Sequence, residues 1–122
     1  MRDDRERLTD ILTAIDRILI KTTQGRDVFN ADEMLQVWVL HHLQVVGEAA
    51  RSLSEEFKRL HADAVWAKAA GMRHILVHHY FDIDADQVWK VVEQDLGPLR
   101  DRVGLILASF GSGGERGAAS EG

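Results

Sequence analysis

"MLQVWVLHHLQVV", residues 34–46, is apolar on almost every side when it is wound as an α-helix. Met34, Leu35, Trp38, Val45, Val46 and Ala49 fall on one stripe, while Val37, Leu40 and Leu43 point elsewhere. A helix that is apolar all round requires burial all round. Two arrangements meet that need: a central helix covered within one chain, or a helix with a second apolar surface used for self-association. We expect the second.

Outward from this stretch, the whole chain reads as helical. "NADE" (30–33) has the N-x-x-E form of a capping box, Asn30 with Glu33, and predicts the start of the long helix. That helix is expected to run to about Leu60, with a bend near Gly47. Before it, a helix from about Asp4 to Thr22 carries the stripe Leu8, Ile11, Leu12, Ile15, Ile18 and Leu19, and "TTQGRDVFN" (22–30) reads as a connection. After it, "DAVWAKAAG" (63–71) starts with Asp63 as a plausible N-cap. Asp84 with Gln87 forms another expected box and opens a helix through "ADQVWKVVEQDL" (85–96). Gly97-Pro98 breaks or kinks it, and "LRDRVGLILASF" (99–110) continues it. "GSGGERGAASEG" (111–122) reads as a flexible tail, so the expectation is one domain, residues 1–110, followed by a tail.

Composition narrows the function classes. The chain has 122 residues, 45% apolar and 29% charged, with no cysteine, so thiolate metal sites and thiol nucleophiles are excluded. The N-terminus "MRDDRERLTD" has no apolar core of a signal peptide, and no apolar run approaches the roughly 20 residues of a membrane span. A cytoplasmic location without membrane partners is expected. The net charge of −5 opposes bulk attraction to nucleic acid. Residues 41–80, however, hold five Lys/Arg against four Asp/Glu and all six histidines, so an anion-binding surface belongs in the middle third.

Within that third, "RHILVHHY" (73–80) gathers Arg73, three histidines and the only tyrosine, Tyr80. His74 and His78 are spaced as possible metal ligands, with His41, His42 and His79 as conditional additions. There is no H-E-x-x-H pattern and no evident third ligand, so no metal and no cofactor is expected. No phosphate loop or G-x-S-x-G is present. On an unbroken helix Arg73 and Tyr80 lie nearly in line, with His78 about 140° away and Met72, Ile75, Leu76 and His79 facing the core. The three polar groups converge only if the helix ends near His78 or if two chains contribute. Otherwise Arg73 pairs with a nearby carboxylate, and His78 and Tyr80 cap a helix end.

The spacing R-x-x-x-x-H-x-Y of Arg73, His78 and Tyr80 resembles the signature of HEPN-domain ribonucleases. "VVGEAARSLSEEF" (45–57), "VWAKAAGMRHILVHHYFDID" (65–84) and "VWKVVEQDLGPLRDRV" (88–103) resemble the second-helix, third-helix and last-helix segments of the HepT-like toxins within that group. The resemblance covers about residues 5–108. One departure is that Ala64-Val65 stands where the family usually has a proline before the tryptophan, which touches a helix start and not the site.

The resemblance implies an all-α HEPN-type bundle of about four to five helices, dimeric through the long second helix, with the motif in a cleft at the dimer interface. It implies a metal-independent endoribonuclease. His78 would serve as general acid or base, Arg73 would bind the scissile phosphate, and Tyr80 would hydrogen-bond the phosphate or stack on a base. Glu48, in "GEA", would orient a motif side chain. The implied partner, besides RNA, is a small nucleotidyltransferase antitoxin that transfers AMP from ATP onto Tyr80. The alternative is a non-catalytic helical module of the same fold that binds a nucleotide or the nucleotidyltransferase. A third reading, a plain helical dimerisation protein, predicts that changes at Arg73 or His78 alter stability alone.

Overall fold

The computed structural model describes residues 3–75 and 82–119, and of 111–119 the backbone alone. The fold is all-helical among the described residues. Seven α-helices follow in order there: α1 (Asp4–Lys21), α2 (Arg26–Ala31), α3 (Glu33–Arg51), α4 (Glu55–Leu60), α5 (Val65–Gly71), α6 (Ala85–Gln94) and α7 (Leu96–Ala119), with a 3₁₀ turn at Met72–His74. The number exceeds the expected four or five because α2, α4 and α5 are short helices of six or seven residues. Side chains of the expected tail, 111–122, lie outside the described residues. Among the described residues no helix is long and apolar enough to cross a membrane.

The first helix starts where its sequence directs. Asp3 accepts from the Glu6 backbone N–H at 2.9 Å while Glu6 reaches back to the Asp3 N–H, closing a capping box. Leu8, Ile11, Ile15 and Ile18 are completely buried along its inner face.

The centre of the chain departs from expectation twice. The expected connection contains α2, which follows Gly25 at φ +96, a left-handed conformation that glycine adopts without a steric penalty. Phe29 anchors this short helix, fully buried and 5.4 Å from the Trp89 ring. Consequently Asn30 is not the cap of the long helix. Asp32 is, accepting from the Leu35 N–H at 3.1 Å. At its other end α3 stops at Arg51 rather than near Leu60, and the chain restarts as α4 with Ser54 as cap. Asp4 fixes that restart, accepting from the Ser54 N–H at 2.8 Å and from its hydroxyl at 2.7 Å.

Helix α3 is the axis of the fold: α1, α2, α5, the 3₁₀ turn and α6 pack on it, and α7 lies against α1 and α6. The buried face of α3 is Val39, Leu40, Leu43, Val46, Ala49 and Ala50. This corrects the expected stripe. Leu40 and Leu43 are core residues, whereas Met34 and Trp38 are 82% and 39% exposed and Val37 is 40% exposed. Covering within one chain therefore accounts for most of the apolar helix, and its N-terminal half is left with a small uncovered apolar patch.

Asp84 caps α6 as expected, accepting from the Gln87 N–H at 3.1 Å. The break between the last two helices comes at Asp95, and Pro98 lies in the first turn of α7, where its missing N–H has no intrahelical partner to lose. Arg100 on α7 donates to Asp16 on α1 at 2.7 Å.

Candidate functional site

Arg73 is presented by a helix end. Asp63 accepts from the Val65 N–H at 3.0 Å and so serves the start of α5. Trp66 and Ala69 bury the inner face of α5, and the helix tightens into the 3₁₀ turn Met72–His74. Ile75 then has φ −62 and ψ 132, an extended conformation that ends the helical run. The unbroken helix through residue 80, one of the arrangements considered from sequence, is thus not adopted. Met72 and Ile75 face the core as expected. His78 and Tyr80, with Leu76 and His79, lie outside the described residues.

The tip of Arg73 meets α3. Its Nη1 lies 3.5 Å from Oε2 of Glu48, and Nη2 of Arg51 donates to Oε1 of the same carboxylate at 3.1 Å. The Arg51 hydrogen bond is the chief reason the Glu48 carboxyl is held below its ordinary value, and the nearby charges of Arg51 and Arg73 add to it. Two guanidinium groups thus flank one carboxylate, which leaves a net positive charge at this point. The Arg73 side chain is 34% exposed, so a ligand can reach it.

A cleft of about 380 Å³ opens between α1 and α3 beside this cluster. Arg7, Asp10, His41, Gln44, Glu48 and Ser52 line its polar sides. A neighbouring depression of about 280 Å³ shares Asp10, His41 and Val45 and adds Arg17. His41 and Glu48 are seven residues apart, two turns of helix, and so share one face. From the sequence His41 stands only as a conditional metal ligand, and nothing there singles out Arg7, Gln44 or Arg51. The i, i+7 spacing of His41 and Glu48 was the available signal for the first. Nothing local marks Arg7, which reaches the cleft from another helix.

His42 has a different position. It is 5% exposed, and its Nδ1 lies 2.8 Å from the Trp38 carbonyl, an acceptor, so geometry assigns the proton to Nδ1. It is a satisfied core histidine. Among the described residues no three His, Cys, Asp or Glu side chains gather as a metal site.

Of the four site residues expected from sequence, then, Arg73 and Glu48 are brought together. The other two, His78 and Tyr80, follow Arg73 by five and seven positions and are not described.

Comparison with known proteins adds an independent finding. The ribonuclease HepT-like family model matches residues 11–106. The chain is 34% identical over 102 residues to "Probable ribonuclease HepT" of Thermococcus cleftensis, covering 83% of this chain and 93% of that one. It is 31% identical over 107 residues to "Putative RNase MJ1380" of Methanocaldococcus jannaschii, covering 86% and 97%. It is 30% identical over 109 residues to "Putative RNase TTE0752" of Caldanaerobacter subterraneus, covering 88% and 96%. No solved structure matches.

Proposed function

The chain belongs to the HepT-like ribonuclease family, and from that membership we propose that it is a metal-independent endoribonuclease whose site is built on Arg73, His78 and Tyr80. The observation that carries the reading is the placement of Arg73. Its guanidinium is partly exposed and held by Glu48, which also lines a cleft with Arg7, His41 and Gln44.

The chemistry needs few parts. The ribose 2′-oxygen attacks the adjacent phosphorus, a new P–O2′ bond forms and the P–O5′ bond breaks. The 2′-hydroxyl loses a proton and the leaving 5′-oxygen gains one, so the step needs no net proton and no oxidant. The products are a 2′,3′-cyclic phosphate and a 5′-hydroxyl. A histidine titrating near neutrality moves protons in such a step, and His78 takes that role. Arg73 remains charged throughout and holds two phosphate oxygens with its planar fork as negative charge builds in the transition state. Tyr80 hydrogen-bonds the phosphate or stacks on a base.

Control of the enzyme follows from the same site. The proposed partner is a small nucleotidyltransferase acting as antitoxin to this toxin. It joins the Tyr80 oxygen to the α-phosphorus of ATP and releases pyrophosphate. The resulting phosphodiester places a negative charge where the RNA backbone binds, and it competes for Arg73. The protein works as a homodimer in the cytoplasm, with the motif in a cleft to which both chains contribute.

The test is cleavage of a mixed cellular RNA pool by the unmodified protein in excess EDTA, beside His78→Ala. Cleavage by the parent alone, with cyclic-phosphate ends, is the expected result. A parent that cuts nothing while its mass shows an unmodified Tyr80 favours a binding module of the same fold.

A further inference from the structure

We propose that Gly47 is a positioning residue for Arg73: its missing side chain lets the turn that carries Arg73 dock directly on the backbone of α3. The catalytic consequence rests on the ribonuclease reading above; the contact itself does not.

Gly47 sits inside α3, four residues from its end, and is buried. Glycine is the weakest helix former after proline, so a glycine here calls for a reason in the tertiary structure. A Cβ built on Gly47 would lie 2.6 Å from the Arg73 backbone nitrogen, 2.8 Å from its Cβ and 3.1 Å from its Cα. None of these atoms is the tip of a side chain that can swing away. The turn Met72–His74 would have to back off by roughly 1 Å to restore an ordinary separation of about 3.5 Å.

Gly25, Gly71, immediately before the turn, and Gly97 and Gly104 on α7 differ, with nothing within 4 Å of a built Cβ. Of these five glycines, close approach is found at the one that faces a proposed site residue.

The neighbouring residue completes the device. Glu48 takes the guanidinium of the residue whose backbone Gly47 receives. One dipeptide of α3 therefore sets both ends of Arg73: Gly47 the depth of its backbone and Glu48 the direction of its tip. A shift of about 1 Å in a group that must meet a phosphate is enough to reduce turnover by about 10²-fold.

The experiment compares Gly47→Ala with Gly71→Ala, the matched change into open space. In the parent, an NMR cross-relaxation signal between the Gly47 Hα protons and the Arg73 amide is expected. In Gly47→Ala, kcat on RNA is expected to fall about 10²-fold, with KM for a long RNA nearly unchanged because other contacts hold the strand. The Glu48 carboxyl should titrate part of the way back toward its ordinary value, since Arg73 retreats and Arg51 stays. Gly71→Ala should match the parent in all three readouts. A parent without the Gly47–Arg73 signal overturns the proposal, and so does a folded Gly47→Ala with parental kcat and parental Glu48 titration. If Gly47→Ala does not fold, the parental signal decides alone. A parent that cleaves no RNA removes the ribonuclease reading, while the signal and the titration still test the positioning.

Discussion

Arg73 and Glu48 stand 25 positions apart in the chain, and their side chains meet at 3.5 Å on the surface of α3. Neither belongs to the other's helix, so the pair exists only because the 3₁₀ turn packs on α3 at Gly47. Arg51 approaches the same carboxylate from the next turn of α3, at 3.1 Å. Glu48 is therefore a tether with one anchor in its own helix and one in the proposed site.

Replacing Glu48 by Gln removes the charge from the tether and keeps its shape. The pair is half-exposed, and exposed ion pairs contribute little to folding. Glu48→Gln is accordingly expected to melt within a few degrees of the parent and to cleave RNA roughly ten-fold more slowly, as Arg73 samples more orientations. Differential scanning calorimetry beside single-turnover cleavage checks it. A large drop in melting temperature with unchanged cleavage would mean that the pair is structural.

The pH dependence follows from the lowered Glu48 carboxyl. A carboxyl depressed in the folded state gives stability that is fully present above its unfolded value, about 4.3, and is lost as pH falls through the lower folded value. Glu48 thus stays ionised from pH 5 to 8. On the proposed mechanism the acidic limb of kcat/KM comes from His78 and not from Glu48. Rate profiles of the parent and Glu48→Gln should share that limb and differ in height. A limb displaced in the variant would assign the titration elsewhere.

The buried face of α3 joins Val46 and Ala49 of the expected stripe to Leu40 and Leu43, which lay off it. Leu43 is fully buried on the central helix, so Leu43→Ala is expected to cost about 3 kcal/mol, read from urea unfolding. Gly104→Ala, with nothing near its built Cβ in the middle of α7, should instead stabilise by about 0.5–1 kcal/mol.

Self-association is expected to use the uncovered apolar patch Met34, Val37 and Trp38. Light scattering should give the parent twice its chain mass of 13.7 kDa, and the double variant Met34→Glu, Val37→Arg the single mass with its helicity retained. A monomeric parent would remove the dimer from the proposed function.

Local chemistry made much of the fold legible. The α1 stripe, the Asp84 cap and the all-helical class follow from periodicity and capping, which depend on residues three and four apart. The errors fell where a distant partner decided. Asn30 and Glu33 have the spacing of a capping box, yet Phe29 buries against Trp89 and winds Asn30 into α2, which leaves the cap to Asp32. The division at Ser52–Ser54 is likewise held by Asp4, fifty residues away.

For the site, the order of residues along the chain fixes which side chains are available: a permanent cation at Arg73, a histidine five residues on, a lone tyrosine, and Glu48 in the segment "GEA". Their types and spacing carry the resemblance to the ribonuclease family, since both are properties of the chain alone. It takes the packing of the helices to show that Glu48 answers Arg73, that Arg7 and His41 share a cleft lined also by Glu48, and that Gly47 is the point of close approach. Those relations join residues on different helices. They depend on how far one backbone can sink into another, which is set by steric contact between atoms that no local pattern brings together.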